Sequence, residues 1–396
     1  MKRSPLVFIF ITVFVDLLGY GMMVPLLPFF VQRQAGGAAA AGLLGSLYAS
    51  MQLFSGPVLG ALSDRFGRRP VLLACLLGTS GAYLLTGLAD SLSLLFLAIA
   101  LDGLTGGNLT TAYAYIADVT GPDERARGLG LVGAAFGLGL MAGPALGGLL
   151  SGFGLSVPAF TAAAIALGNV LFGVFVLPES LPPERRTSTP PRQLLNPFGQ
   201  LWGLVRVPSI QRLLAGLFAL NLAFAGLQNN FPLFSQARFG WDAPRNGVFF
   251  AFVGVCAVLI QGVLFGRLQP RFGERALARV GLLCMAAGLA GLALAPQDWL
   301  LYPSVAVVAL GTGTSIPSLT ALVSGRMPAN EQGRLMGGTQ TLLSLTTILG
   351  PTLAGLAFER VGVTAPYWLG SALALAALAL AAPGLRRAPP VTPAPE

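Results

Sequence analysis

The sequence predicts an all-α membrane protein with twelve transmembrane helices, arranged as two pseudo-symmetric six-helix bundles. Hydrophobic residues make up 54% of the 396-residue chain and charged residues 10%, whereas a soluble domain carries about 25% charged residues. Apolar stretches of about 20 residues, the length that crosses a bilayer core, follow one another along the chain. An internal repeat divides these stretches into two sets of six. The composition therefore predicts a chain that lies in a lipid bilayer.

Twelve apolar stretches are long enough to be membrane spans. The first contains Asp16 and has no small-residue cleavage pattern at its end, so we expect a retained helix and not a signal peptide. The predicted spans are 6–30, 42–62, 70–89, 92–117, 128–151, 156–177, 209–235, 245–266, 276–295, 299–323, 334–357 and 364–383.

The repeat joins two short motifs that lie far apart in the chain. GALSDRFGRRP at 60–70 returns as GRLQPRFGERA at 266–276, and Gly143-Pro144 returns as Gly350-Pro351. Many transporters consist of two such repeats that move against each other around a central site. The predicted organisation is an N-terminal bundle (1–178), a Pro- and Arg-rich cytoplasmic linker (179–208), a C-terminal bundle (209–384) and a disordered cytoplasmic tail (385–396).

The basic residues predict the orientation of the chain. All but four of the 24 Lys and Arg fall on one side of the predicted spans, the exceptions being Arg33, Arg238, Arg245 and Arg360. Because basic residues near helix ends stay on the cytoplasmic side, both termini are predicted to be cytoplasmic, in the inner membrane. The net charge of +9 is thereby explained, and no nucleic-acid partner is expected.

Three residue counts exclude other kinds of chemistry. There is no histidine, and Cys75, Cys256 and Cys284 lie singly in apolar spans, which argues against a metal site or a disulfide framework. Lys2 is the single lysine, so the GxxxxGK phosphate loop of an ATPase is absent. We expect neither an enzyme nor a cofactor, and transport would draw its energy from a gradient.

Two acids fall well inside the spans, where each ionisable group costs about 2.5–3.5 kcal/mol on insertion scales and is usually retained for a purpose. Asp16, Tyr20 and Met23 share a face of the first helix, a lining that suits a cationic or amphipathic ligand. Asp102 lies in the fourth span, with Asn108 on a neighbouring face. We expect these residues to bind substrate or protons. The alternative for Asp16 is a structural hydrogen bond to a neighbouring helix or to its own backbone.

Uncharged polar residues mark the second half. Asn221 and Gln228 lie seven residues apart, Asn229 follows, and Gln340 occupies the eleventh span. They are equally suited to hydrogen-bonding a substrate and to joining helices.

The 60–70 loop and the fifth span each carry a motif with a physical interpretation. In the loop, glycines permit a tight turn, and Asp64 can accept from a helix N-terminus or pair with arginine, although its arginines could simply set topology. In the fifth span, glycines at four-residue spacing allow close helix approach, either as ordinary packing or as a seam between the halves. The residues concerned are Gly60, Asp64, Arg65, Gly67, Arg68 and Arg69 in the loop, and Gly133, Gly137, Gly139, Gly143, Pro144 and Gly147 in the fifth span.

These two motifs and DLLGYGMMVPLLP at 16–28 resemble those of the twelve-helix drug/proton antiporters of the major facilitator superfamily, in particular the tetracycline efflux proteins. The resemblance covers nearly the whole chain. It implies the major facilitator fold, a conformational switch in the 60–70 loop, a seam at the fifth-span glycines and exchange of substrate for protons. Where those antiporters usually carry a fourth-helix arginine, this chain has Ile99, and their third- and ninth-helix acids correspond to Ala82 and Met285.

The predicted function is therefore a monomeric secondary transporter that exports an amphipathic small molecule, tetracycline-like or multidrug, by alternating access in exchange for protons. Without a buried basic partner, Asp16 and Asp102 would handle both proton and substrate. Two alternatives stay open, namely an uptake carrier or facilitator for a sugar or small metabolite, and a non-transporting membrane sensor or scaffold.

Overall fold

A computed structural model of the chain describes residues 5–120, 122–186, 197–328 and 331–385. The predicted tail lies outside the described residues, apart from Leu385. Throughout the described ranges the regular structure is helical, with no strand, which confirms the predicted all-α class.

Fifteen α-helices can be assigned within the described ranges. They are α1 (Pro5–Met23), α2 (Leu27–Arg33), α3 (Ala38–Phe66), α4 (Arg68–Leu88), α5 (Leu92–Thr105), α6 (Asn108–Val119), α7 (Pro122–Ser151), α8 (Ser156–Val176), α9 (Pro197–Val205), α10 (Pro208–Phe239), α11 (Ala243–Leu259), α12 (Phe265–Leu294), α13 (Leu301–Ser324), α14 (Gln332–Arg360) and α15 (Ala365–Leu385).

Ten stretches in these helices are long and apolar enough to cross a membrane. One of them, Ala243–Leu294, is 52 residues long and contains two of the predicted spans. The 29-residue helix α3, which carries charged residues at one end, covers a further predicted span. The ten stretches are thus consistent with the twelve spans predicted from the sequence.

Four predicted spans differ from continuous single helices. The first ends as a helix at Met23 and resumes at Leu27, because Pro25 in the intervening turn has no backbone N–H. The fourth breaks at Gly106-Gly107 into α5 and α6. The eighth and ninth are joined in one helical path by a π-helical turn at Ile260–Leu264, with a kink at Gly273, whose φ of 73° favours glycine.

The helices form two compact units. The first contains Met1–Pro197, Gly226–Val255 and Thr347–Pro366, so it joins the first six predicted spans with parts of α10, α11 and α14. Helix α4 packs against α8 and α5, and α1 packs against α7. Buried side chains form one apolar cluster around Phe30 and Leu44 and another around Val13.

The second unit contains Phe198–Ala225, Cys256–Thr346 and Tyr367–Glu396. The backbones of its helices α12 and α13 are in close contact. A Cβ added at Gly311 would lie only 2.6 Å from the backbone N of Met285. The short helix α9 lies within the predicted linker, a helix that the Pro- and Arg-rich composition did not predict.

Candidate functional site

The two membrane acids lie on α1 and α5 of the first unit. Asp16 on α1 accepts a hydrogen bond from Asn108 Nδ2 across 3.0 Å. Asn108 is the first residue of α6, directly after the Gly106-Gly107 break. The break places this amide beside α1, and the amide and the carboxyl group satisfy each other in a low-dielectric setting. Asp16 is half-buried and Asn108 is buried.

Asp102 is buried near the end of α5 and interacts electrostatically with Asp16. The hydroxyls of Thr79 and Thr105 lie 3.1 Å apart beside it, and Thr79 also interacts with the Asp102 carboxyl group. The structure therefore brings the two predicted acids into one electrostatic site, together with Asn108. Throughout the described parts of α1 to α8, arginines lie only near helix ends.

Three tyrosines interact with this carboxyl pair. The rings of Tyr20 and Tyr48 lie 5.4 Å apart, tilted by 31°. Tyr20, Tyr48 and Tyr83 all interact electrostatically with Asp102. A Cβ at Gly19 would lie 3.0 Å from the Tyr83 ring, so this glycine lets Tyr83 approach α1. The site combines negative charge with aromatic faces, a combination that binds organic cations.

Sequence reasoning identified Tyr20 but missed Tyr48, Tyr83 and Thr79. Their helices carry no membrane acid, so neither charge nor motif distinguished them from core residues. Gln52 Nε2 donates to the Gly106 carbonyl at 3.0 Å, which holds the face of α3 that bears Tyr48 against the α5–α6 break.

The other predicted ligand-site residues lie elsewhere. Met23 is buried in the apolar cluster around Phe30. Asn221 Nδ2 donates to the Leu217 carbonyl of its own helix at 2.8 Å, and Asn229 packs against Gly45 of α3. Gln228 and Gln340 are exposed. No described contact brings these residues to the carboxyl pair.

Ile99 occupies the position where the resemblance implies an arginine. It is 7% exposed and packs in the same apolar cluster as Tyr83 and Leu95. Ala82 is fully buried as well. Ile99 and Ala82 thus place aliphatic groups where the resemblance implies charged residues. In the described spans of the first half, the interior charged residues are Asp16 and Asp102.

The 60–70 loop forms an ion-pair network centred on Arg68. Arg68 Nη1 lies 2.6 Å from Asp64 Oδ1 and 2.7 Å from Ser63 Oγ. Its Nε donates to Asp118 Oδ2 at 3.0 Å. Of the two partners that the sequence allowed for Asp64, the structure shows the arginine. Arg65 lies over the Phe66 ring at 5.3 Å, outside the network.

Glu179 ties the start of the linker to this loop. Its carboxylate accepts from the backbone N of Arg68 at 2.9 Å and of Arg69 at 3.3 Å, at the N-terminus of α4. Gly67, with φ of 107°, leaves room for that carboxylate. Gly60 lies near Thr110 of α6. Sequence reasoning missed Glu179, since its position in the linker gave no sign of a helix N-terminus 110 residues earlier in the chain.

Three glycines of the fifth span pack against α1, a helix of the same half of the chain. A Cβ added at Gly139 would lie 2.8 Å from Leu17 Cβ, and one at Gly143 would lie 2.7 Å from Gly21 Cα. A Cβ added at Gly147 would lie 2.6 Å from the Met22 carbonyl. These three glycines therefore join α7 to α1, within the first half. The expectation that these three glycines lie between the two halves is therefore wrong. Four-residue spacing shows that they share one face of the helix, but it does not show which helix packs on that face.

A neighbouring glycine makes the contact with the second half. A Cβ at Gly148 would lie 2.6 Å from Gly247 Cα on α11, and one at Gly247 would lie 2.7 Å from the Pro144 carbonyl. Pro144 thus contributes to that contact through its backbone. Gly137 is half-buried, whereas a Cβ at Gly133 would meet open space.

The fold, the buried acids and the glycine-lined helix contacts define a multi-pass membrane transporter. The Major Facilitator Superfamily model matches residues 9–342 and 257–396, and the chain belongs to this family.

Individual relatives are similar over almost the full length. The class C tetracycline resistance protein of Escherichia coli is 37% identical over 393 residues, covering 98% of this chain and 97% of that protein. Multidrug resistance protein 2 of Bacillus subtilis (strain 168) is 31% identical and covers 90% of each chain. The crystal structure of the human organic anion transporter MFSD10 (TETRAN) aligns with a TM-score of 0.71 at 26% identity, covering 96% of this chain and 99% of that chain.

Proposed function

We propose that this chain is a secondary active transporter of the cytoplasmic membrane, with both termini cytoplasmic, that exports amphipathic drugs by alternating access in exchange for protons. The observation that carries the proposal is the carboxyl pair Asp16 and Asp102, with Asn108 beside it and three tyrosines around it. Similarity to tetracycline and multidrug resistance proteins supports drugs as the substrate class.

The carboxyl pair suits the exchange because a proton and a cationic drug compete for the same negative charge. In a low dielectric, each of two interacting carboxylates disfavours the ionised form of the other, and a bound cation offsets that repulsion. On the cytoplasmic side the drug supplies that cation. On the outer side an incoming proton replaces it, and the drug leaves.

The charge sign of the site also separates substrate classes. An organic anion would meet two carboxyl groups and, in the described helices of the first half, no interior arginine to offset them. An organic cation would gain both the carboxyl charge and the faces of Tyr20 and Tyr48. We therefore propose cationic amphipaths as substrates, in contrast to the organic anions named for the structural relative MFSD10.

The number of protons exchanged decides which gradient drives export. Exchange of one proton for a monocation moves no net charge and responds to the pH gradient alone. Exchange of two protons moves one net charge, and each charge contributes about 2.3 kcal/mol per 100 mV of membrane potential. Two electrostatically interacting carboxyl groups, Asp16 and Asp102, give this chain the capacity for the two-proton cycle.

The test uses everted membrane vesicles that are energised and loaded with a pH-sensitive dye. Cationic dyes, tetracyclines, anionic dyes and sugars are added in turn, for the wild type and for Asp16→Asn, Asp102→Asn and the matched control Asp90→Asn, which changes an exposed acid between α4 and α5. We expect cationic drugs to release protons in the wild type and the control, and not in the two site variants.

Other outcomes would support the alternatives. Flux of a sugar or anion without proton release would indicate a facilitator or uptake carrier. Binding of a compound with no flux in either direction would indicate a sensor or scaffold. Full proton release by both Asp16→Asn and Asp102→Asn would overturn the role of the carboxyl pair.

A further inference from the structure

The N-terminus of α3 receives a cap from the far end of the chain. Glu359, in the last turn of α14, accepts a hydrogen bond from the backbone N of Ala39 through Oε2 at 3.0 Å, across 320 residues of sequence. The helix's own N-cap residue, Gly37, has no side chain to offer. Glu359 therefore satisfies one of the first-turn N–H groups that every helix leaves unpaired, and places a negative charge at the positive end of the helix dipole.

Gly37 makes this contact possible. A Cβ added there would lie 3.0 Å from Glu359 Oε1 and 3.2 Å from Oε2. The φ of Gly37 is −87°, which any residue can adopt, so the sequence does not need glycine here for backbone reasons. The missing side chain instead leaves room for the carboxylate.

The cap lies at the end of a seam of small residues between α3 and α14. A Cβ at Gly355 would overlap the Ala38 carbonyl, and one at Gly42 would overlap the Pro351 carbonyl. Farther along, Ser46 Oγ lies 2.6 Å from the Thr352 hydroxyl. Backbone-level packing of this kind fixes the two helices against each other at the end of α3 that lies opposite the 60–70 loop.

We propose that Glu359 is a latch that holds α3 and α14 together at the outer end of the transporter, and that it must release Ala39 each time the protein opens to the outside. Opening at this end requires α3 and α14 to separate, which breaks the seam and the cap together. The small residues of the seam are mostly buried and none of them is charged, whereas Glu359 is exposed. The carboxylate is thus the part of the contact that ions in the outer solution reach.

This inference rests on the alternating-access part of the proposed function. The test measures conformation and needs no substrate. A reporter cysteine is introduced by Ser50→Cys, one turn of α3 beyond Ser46, after Cys75, Cys256 and Cys284 have been replaced by serine. Right-side-out vesicles are treated with a membrane-impermeant maleimide, and the labelling rate reports how often the outer end opens.

We expect Glu359→Gln to raise the labelling rate about two- to five-fold, the range of a charge at a helix terminus. Glu359→Asp, which keeps the charge on a shorter side chain, should give an intermediate rate. Gly37→Ala should also raise the rate, because its Cβ would meet the carboxylate. Arg360→Gln, a neutralised charge in the same exposed turn, should leave the rate unchanged.

Salt supplies a readout that a purely structural role would not change. The Debye length falls from about 8 Å at 0.15 M to 3 Å at 1 M, so high salt should raise the wild-type rate toward that of Glu359→Gln and leave that variant nearly constant.

Gly42→Leu, which forces a side chain into the seam, separates the possible failures. The latch is overturned, and alternating access stands, if Gly42→Leu labels faster while Glu359→Gln and Gly37→Ala label at the wild-type rate. If Gly42→Leu, Glu359→Gln and Gly37→Ala all label at the wild-type rate, alternating access at this end fails and the latch fails with it.

Discussion

The contact between α1 and α7 gives a direct test of how packing positions the transport site. The perturbation is Gly143→Ala, which adds one methyl group. That Cβ would lie 2.7 Å from Gly21 Cα and 2.8 Å from the Leu18 carbonyl. Both neighbours are backbone atoms, so no side chain can rotate away, and the two helices must move apart.

The displacement follows from ordinary contact distances. Carbon atoms in contact sit about 3.5–4.0 Å apart, so α1 must shift by about 0.8–1.3 Å. Asp16 lies little more than one turn from Gly21 on the same helix. The 3.0 Å hydrogen bond from Asn108 to Asp16 would then stretch to about 4 Å, beyond hydrogen-bond range.

Two costs result from that displacement. Overpacking a helix contact destabilises a protein by about 1–3 kcal/mol. Loss of a hydrogen bond to a charged group costs about 1.5–3 kcal/mol, which is roughly a 10- to 150-fold effect on an equilibrium. We expect Gly143→Ala to lower the melting temperature modestly and drug export by ten-fold or more.

The assay compares Gly143→Ala with Gly133→Ala, which adds the same methyl group on the same helix where the structure leaves open space. Export is measured in energised vesicles, and melting is followed on purified protein in detergent. Gly133→Ala should match the wild type in both measurements. If Gly143→Ala also matched it, the α1–α7 contact would not position Asp16, and the argument from backbone packing would be refuted.

Three further substitutions test other contacts. Arg68→Lys keeps the charge, but a lysine cannot bind Asp64 and Asp118 at the same time. We expect a loss of stability of about 1.5–3 kcal/mol for each charged hydrogen bond lost, measured as a lower melting temperature. The control Arg65→Lys should change the melting temperature little. Tyr48→Ala should weaken aromatic-cation affinity about two- to ten-fold by removing the Tyr20 stacking partner, while Tyr48→Phe should not, as competition binding would show. Asn169→Ala removes the 2.8 Å bond from Nδ2 to the Thr12 carbonyl; melting should report a loss of about 0.6 kcal/mol, with substrate preference unchanged.

The sequence was sufficient for features that depend on local composition and spacing. Hydropathy located the spans, because every segment in a bilayer must be long and apolar enough to cross it. The repeated loop predicted two related turns, and Gly67 and Gly273 both adopt positive φ, at 107° and 73°. Asp16 and Asp102 were identifiable because charge inside a span is costly wherever it lies.

Only the tertiary structure decided which faces meet. Four-residue spacing predicted that Gly143 lies in a close helix contact, yet the contact is with α1, and Gly148 reaches Gly247 instead. Asn108 joins Asp16 across 92 residues, and Glu359 caps α3 across 320. Helical periodicity assigns each residue to a face of its own helix, but the neighbour of that face depends on packing and hydrogen bonding among all the helices together.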